Sequence, residues 1–169
     1  MNTTWKKLEV LKLNWNYLGA ESALALANNT TWKNLKVLSL VHNRLNVEGG
    51  AILGKNLSWE NLEELRLDGC EIGDGGALWI ASNKTWTNLR LLDLSRNAIG
   101  SLGGKAIGNV SWRKLEGLKL AHNRLGDEGV IAIAKNTSWR NLCSLDLACN
   151  REFLYLARNE EVSASSWSL

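Results

Sequence analysis

Apolar residues recur along the chain in a two-part pattern, with five complete copies and a sixth that is truncated. The first part alternates apolar and other positions over a few residues, as in residues 37–41, and this alternation predicts a short strand with leucines on one face. The second part has apolar residues at helical spacing, as at Val130, Ile133 and Ala134. Each copy therefore predicts a strand followed by a helix.

A tryptophan marks the start of each copy and sets the period of the chain. The spacing between successive copies is 27 residues, with one interval of 26, at Trp5, Trp32, Trp59, Trp86, Trp112 and Trp139. A fixed period in this range is typical of a solenoid, and strand–helix units of one sense predict parallel neighbours in a right-handed coil. In the short fourth copy we expect the missing residue just before Asn109, at the helix end.

Two features of the helical half bear on packing. Small residues occupy the buried face, as in the triplets Gly50, Leu53, Gly54 and Gly104, Ile107, Gly108, and they predict that the helix approaches the sheet closely. Acidic residues fall at the predicted helix starts, where the helix dipole favours them, at Glu21, Glu48, Asp74, Asp127 and Glu128.

The phrase Leu35-x-x-Leu38-x-Leu40-x-x-Asn43-x-Leu45 resembles the leucine-rich repeat family, and residues 125–134 look like its ribonuclease-inhibitor-like branch. The match covers residues 2 to about 151, with repeats starting near 2, 29, 56, 83, 109 and 136. The resemblance implies an α/β right-handed solenoid of arc or horseshoe shape, with a parallel sheet on the concave face and short helices on the convex face. It also implies a non-enzymatic scaffold that binds a partner protein on the concave sheet.

The pattern breaks after Asn150, and the chain ends are interpreted separately. We expect residues 1–151 to form the solenoid, 152–159 a helical C-terminal cap and 160–169 a tail. No dedicated N-terminal cap is visible, so the first strand is expected to expose an edge that invites pairing with a second copy. A homodimer and a fragment of a larger receptor or effector are therefore alternatives to the scaffold hypothesis.

The most repeated polar residues are predicted to be structural. Asn16, Asn43, Asn97, Asn123 and Asn150 are expected to satisfy buried backbone groups at the turns, with Cys70 in the same role in the third copy. The tryptophans are expected to form a stacked core column. Each copy also contains an Asn-x-Ser/Thr phrase, which we expect to be unglycosylated and to place a left-handed residue at the helix end. Its asparagines are Asn2, Asn29, Asn56, Asn83, Asn109 and Asn136, with Asn28 besides.

The positions that vary between the leucines are the candidate partner surface. They form three predicted columns on the exposed sheet: Lys12, Ser39, Arg66, Asp93, Lys119 and Asp146; Asn14, Val41, Asp68 and Ser95; and Trp15, His42, Arg96 and His122. Trp15 is the best anchor candidate because it breaks the pattern. The alternating charges of the first column favour either a self-satisfied ladder between strands or a charged recognition surface.

Charge narrows the partner class. The net charge is +3, and the exposed columns with their flanking positions carry four basic and four acidic residues. This balance argues against a nucleic-acid partner, because phosphate binding favours a surface with one sign of charge. Basic residues also follow the tryptophans on one rim of the solenoid. The simpler interpretation is that this rim is solvated, and the alternative is that it binds an acidic partner or a membrane surface. These basic residues are Lys6, Lys7, Lys33, Arg113, Lys114 and Arg140.

Composition leaves little support for catalysis. The three cysteines form an odd, unpatterned set, Cys70, Cys143 and Cys149, so we expect free thiols. The sequence also shows no signal peptide and no membrane span, and together these features predict a cytoplasmic location. A thiol enzyme using Cys149 and His122 is a remote alternative, since no third orienting group or oxyanion donor accompanies them. His42 and His122 are predicted too far apart to share a metal, and no metal or other cofactor is expected.

Overall fold

The computed structural model describes residues 4–151, which form one six-stranded parallel sheet and five helices. The strands are β1 Val10–Lys12, β2 Val37–Ser39, β3 Glu64–Arg66, β4 Leu91–Asp93, β5 Gly117–Lys119 and β6 Ser144–Asp146. The helices are α1 Ala20–Ala27, α2 Asn46–Gly54, α3 Gly73–Ser82, α4 Ser101–Gly108 and α5 Gly126–Ala134. The strand order follows the chain, so the predicted strand–helix solenoid is confirmed. The predicted cap and tail, residues 152–169, and Asn2 lie outside the described residues.

Every strand pairs in register with the next, so equal positions of the repeats lie side by side. The central leucines of the strands form one such row, and Leu38, Leu65, Leu92 and Leu118 in it are fully buried. A buried aliphatic side chain contributes about 1.5–3 kcal/mol, and most of this burial comes from the neighbouring repeat. The stability of each repeat therefore depends on its neighbours.

The tryptophan column is confirmed as core in five of its six members. Trp32, Trp59, Trp86, Trp112 and Trp139 are at most 8% exposed, whereas Trp5 in the first repeat is 55% exposed. Within residues 4–151, the buried indole nitrogens of four of them have no hydrogen-bond partner, at Trp32, Trp59, Trp86 and Trp139. The column is thus held by apolar packing rather than by its polar atoms.

Glycines of the helices bring neighbouring helices together, and the expectation that they serve approach to the sheet is wrong for Gly54 and Gly108. A Cβ added to Gly54 would lie 2.5 Å from the backbone carbon of Trp79 and 2.6 Å from the nitrogen of Ile80, both in α3. A Cβ at Gly108 would lie 2.6 Å from the backbone carbon of Ala132 in α5. These glycines point sideways, at the next helix of the solenoid.

The acidic residues lie in the first turns of four helices, as expected, and one of them also serves a neighbour. Asp74 in α3 accepts hydrogen bonds at Oδ1 from the backbone nitrogens of Gly100 (2.7 Å) and Gly103 (2.8 Å). Helix α4 has no acidic residue in its own first turn. The preceding repeat therefore supplies the carboxylate that satisfies its first amides.

The fourth repeat is short in the turn after α4, so the placement of the gap before Asn109 is wrong. Asn83 donates to the backbone oxygens of Gly54 and Asn56, and Asn136 donates in the same way to Gly108 and Val110. Val110 is buried and occupies the position of the repeated asparagine, while Asn109 is exposed. The full period continues to Val110, and the missing residue lies between it and the next tryptophan.

Candidate partner-binding face

The predicted asparagine ladder is structural in the repeats after the first, because its side chains bond buried backbone. The prediction is wrong for Asn16, which is exposed and donates to the oxygen of Asn14. Asn97 accepts at Oδ1 from the nitrogens of Cys70 (3.0 Å) and Ile72 (3.2 Å). It donates through Nδ2 to the oxygens of Leu67 (2.7 Å) and Ser95 (2.9 Å). Asn43 and Asn123 make the same four kinds of bond to their own neighbours. None of these side chains is available to a partner.

Cys70 takes the ladder position in the third repeat, as expected. Its Sγ donates to the backbone oxygen of Leu40 at 3.1 Å, where an asparagine amide would donate in the other repeats. Burial raises the pKa of this thiol to about 11, and the carboxylate of Asp68 adds to the rise. The thiol therefore remains protonated near neutral pH and is a poor nucleophile.

The asparagines of the Asn-x-Ser/Thr phrase do not adopt the expected left-handed backbone. At the helix ends, Asn28, Asn83 and Asn109 have φ of −76°, −66° and −97°. Asn83 instead turns the chain by accepting from the nitrogens of Thr85 and Trp86. Its buried amide donates to the previous repeat, which supports the prediction that this position carries no glycan.

Left-handed backbone occurs just after the strands, in the third predicted surface column. All six residues at this position have φ between 52° and 65°: Trp15, His42, Gly69, Arg96, His122 and Cys149. Positive φ disfavours side chains with a Cβ, so it is a shared requirement of the turn rather than a mark of one functional residue. The turn places these side chains beside one another along the solenoid.

The predicted columns lie together as expected, but two of their members are not exposed. Ser39 and Ser95 are 2% and 5% exposed, so their predicted exposure is wrong. Ser39 donates through its hydroxyl to Oδ1 of Asn14 at 2.7 Å, and the same oxygen accepts from the backbone nitrogen of Val41. Short hydroxyl side chains thus bond within the surface layer. The other candidate residues are exposed or half-buried.

The charges of the central column do not satisfy one another. Within residues 4–151, no ion pair joins Arg66, Asp93, Lys119 and Asp146 across the strands. Arg66 pairs instead with Glu64 on its own strand, at 2.7 Å. The carboxylates of Asp93 and Asp146 accept backbone amides two residues further on. The ladder interpretation is wrong, and the exposed ammonium of Lys119 is left without a carboxylate partner among the described residues.

The first repeat carries two exposed aromatic rings, and each of them lies against a side chain of the second repeat. Trp15 is 70% exposed and lies on the His42 ring, with 3.9 Å between ring centroids and 27° between planes. Tyr17 is 76% exposed, and the guanidinium carbon of Arg44 lies 5.1 Å from its ring centroid. We call these four residues the aromatic patch.

Contacts continue from the aromatic patch into the middle of the solenoid. His42 Nε2 lies 4.0 Å from the carboxylate of Asp68. Arg96 Nη1 donates to the same carboxylate at 3.0 and 3.2 Å. A row of touching side chains therefore crosses four repeats, from Trp15 through His42 and Asp68 to Arg96.

A family model described as Leucine Rich repeat matches residues 6–27, 60–81, 87–108 and 113–134, which together are just over half of the chain. The chain belongs to the leucine-rich repeat family. The matches fall on its first, third, fourth and fifth repeats, in agreement with the parallel sheet. No curated protein matches the chain closely enough to count as a relative.

Membership sets the general expectation for function. Leucine-rich repeats generally mediate protein–protein interaction, and proteins of the family are typically non-enzymatic scaffolds. Among residues 4–151, no helix is long and apolar enough to cross a membrane. The same range contains no group of three metal-ligating side chains.

The predicted thiol–imidazole pair of this leucine-rich repeat protein shares a column but not a hydrogen bond. The backbone nitrogen of His122 donates to the oxygen of Ala148, which places His122 beside the loop that carries Cys149. In the part of the chain that the structure describes, no hydrogen bond joins the Cys149 thiol to the imidazole. The general base that a cysteine nucleophile requires is therefore not engaged.

Sequence reasoning missed Tyr17, Arg44 and an asparagine ladder on the rim. The missed ladder bonds the backbone of the previous repeat from Asn34, Asn61, Asn88 and Asn141. The sequence signal for this second ladder was the recurrence of asparagine two residues after the tryptophan. Tyr17 and Arg44 share a position two residues beyond the third column, where the repeats also disagree, and that variation was the available signal.

Proposed function

We propose that this protein is a non-enzymatic scaffold of the ribonuclease-inhibitor-like branch, binding a partner protein on the concave face of its sheet. The observation that carries the proposal is the aromatic patch, in which Trp15 and Tyr17 are 70% and 76% exposed. Tryptophan, tyrosine and arginine supply most of the residues that dominate the energy of protein interfaces.

The neighbours of the two rings favour binding because they already hold the rings in place. His42 stacks on Trp15, and Arg44 lies over Tyr17. Immobilising a side chain on binding costs about 0.5–1.5 kcal/mol, and a ring that is already held loses less freedom. The patch is therefore suited to the centre of an interface.

Charged side chains beside the patch would set the orientation of the partner. Lys12 and Arg66 are exposed on the same sheet surface, and within residues 4–151 Lys12 forms no ion pair. Charges at the edge of an interface contribute more to association rate and specificity than to affinity. We therefore expect a partner with both an apolar anchor site and carboxylates near it.

The test is capture of binding proteins by the wild-type chain, identified by mass spectrometry, followed by capture with Trp15→Ala combined with Arg66→Ala. Truncating a dominant residue at the centre of an interface weakens the binding free energy by about 2 kcal/mol or more, which corresponds to about a 30-fold loss of affinity. We expect recovery of the partner to fall by at least about tenfold. Circular dichroism melting checks that the variant is folded.

The convex side offers a matched control. Lys55 Nζ lies 4.1 Å from the ring centroid of Trp79, which is 44% exposed, so Trp79→Ala with Lys55→Ala also removes one tryptophan and one cation. The control should capture the partner as the wild type does. If the concave variant captures every protein unchanged, or if only the control loses binding, the concave face is not the binding face.

Self-association is the second candidate function, and the outer edge of β1 favours it. Val10 is 49% exposed and Trp5 is 55% exposed, and among residues 4–151 no strand pairs with this edge. Unpaired strand edges are templates for pairing with another chain. Light scattering at high concentration should give about twice 18.7 kDa if two copies pair, and a mass of 18.7 kDa would reject this candidate.

The cytoplasm remains the proposed location. Cys143 and Cys149 are exposed and unpaired. Exposed free thiols are stable where glutathione keeps them reduced.

A further inference from the structure

A second surface feature lies on the loops that follow the last three strands, at the opposite end of the solenoid from the aromatic patch. A groove of about 820 Å³ is formed by residues that follow β4, β5 and β6. Four of the residues lining it carry cationic or imidazole side chains: Arg96, His122, Arg124 and Arg151. The remaining lining residues are small or neutral, and none of those described carries a carboxylate. We call this the arginine groove.

Two of its guanidinium groups have no counter-charge among the described residues. Arg124 and Arg151 are exposed, and within residues 4–151 neither forms an ion pair or a side-chain hydrogen bond. The third, Arg96, forms an ion pair with Asp68, which does not line the groove, and the Arg96 side chain is 50% exposed. Among residues 4–151, the charged side chains that line the groove are therefore all basic, although the sheet surface beside it is mixed.

The spacing of these groups fits an extended peptide. Arg124 and Arg151 lie on adjacent loops of a parallel sheet, whose strands are about 4.8 Å apart. In an extended peptide, side chains on one face recur about every 6.6–6.8 Å, which flexible arginines on adjacent loops can reach. Each guanidinium can bind a carboxylate through two parallel hydrogen bonds, which an ammonium group cannot do.

We propose that the arginine groove binds an acidic segment of the partner protein, with carboxylates held by Arg124 and Arg151. This inference rests on the proposed scaffold function and adds a second contact to it. A longer polyanion fits less well, because Arg151 also borders a neighbouring cavity that contains Asp127 and Glu128. A nucleic acid following the groove would meet these carboxylates, whereas a short acidic segment ends before them.

The probe for the test is a fluorescein-labelled hexaglutamate peptide added to the full chain, with binding measured by fluorescence anisotropy. We expect Arg124→Gln with Arg151→Gln to weaken binding by at least about tenfold, since two charge-assisted contacts are lost. The matched control is Arg113→Gln with Arg140→Gln, which removes the same charge from two exposed arginines of the rim. The control should bind the peptide within about twofold of the wild type at 0.15 M salt, where distant charges are screened.

Two outcomes would overturn the inference. If the groove and control variants lose affinity for the peptide equally, the peptide is attracted by the net charge of the protein alone. A single-stranded oligonucleotide that displaces the peptide at lower concentration than unlabelled hexaglutamate would assign the groove to phosphate backbones instead.

The same variants separate this inference from the scaffold proposal. Trp15→Ala with Arg66→Ala should retain hexaglutamate binding while losing the captured partner. If that variant captures the partner normally while the groove variant loses the peptide, the concave-face proposal fails and the groove stands. If the groove variant captures the partner and binds the peptide unchanged, the groove inference fails alone.

Discussion

Asn97→Ala is expected to lower the free energy of unfolding by about 3–5 kcal/mol, because it leaves three buried backbone groups unpaired. The nitrogens of Cys70 and Ile72 lose their acceptor, and the oxygen of Leu67 loses its donor. The oxygen of Ser95 loses one of two donors, since it still accepts from the nitrogen of Gly69. Each buried group without a partner costs about 1–3 kcal/mol, and partial access of water reduces the sum. Urea unfolding followed by circular dichroism measures the effect.

The chain contains its own controls for this prediction. Asn16 occupies the same sequence position in the first repeat, is exposed, and donates through Nδ2 to the oxygen of Asn14. Asn16→Ala should cost about 1 kcal/mol or less. Cys70→Asn should be tolerated, since Leu40 already receives a hydrogen bond from that position. If Asn97→Ala costs no more than Asn16→Ala, the ladder does not stabilise the solenoid.

The fold was predictable from sequence because each structural role is written in several copies. Leucine, tryptophan and asparagine recur at fixed positions, and repetition identifies a buried column without knowledge of any single contact. The same reasoning fails where one copy departs from the rest. In the fourth repeat Asn109 was expected to occupy the position of the asparagine in the Asn-x-Ser/Thr phrase, yet the backbone keeps its full period and places Val110 there.

The candidate site was harder to predict, because exposure depends on what the adjacent repeat presents. Ser39 is buried since Asn14 of the previous repeat accepts its hydroxyl, a contact that alternation within one strand does not encode. Arg66 and Asp93 have opposite charges on paired positions, but Glu64 and a backbone amide are nearer partners. Tyr17 joins the aromatic patch only because Arg44 lies over it.

Gly54→Ala is expected to destabilise the protein by about 3 kcal/mol or more, because the added methyl group would overlap the backbone of α3. Its Cβ would lie 2.5 Å from the carbon of Trp79 and 2.6 Å from the nitrogen of Ile80. Backbone atoms cannot rotate away, so α2 and α3 must separate. Because the repeats are stabilised by their contacts with neighbours, that separation weakens the packing on both sides. Thermal unfolding measures the loss.

Gly75→Ala distinguishes this steric effect from the presence of an extra methyl group. Its Cβ would be as close to a neighbour, at 2.6 Å, but that neighbour is Cγ1 of Val47, a half-exposed side chain that can shift toward solvent more readily than backbone can. Alanine also favours a helix over glycine by up to about 1 kcal/mol, which offsets part of the cost of moving Val47, so Gly75→Ala should cost much less than Gly54→Ala. If the two variants unfold at the same temperature, close approach of α2 to α3 does not limit the size of residue 54. A large loss confined to Gly54→Ala would show that Gly54 sets the spacing of α2 and α3, and with it the stacking of the repeats.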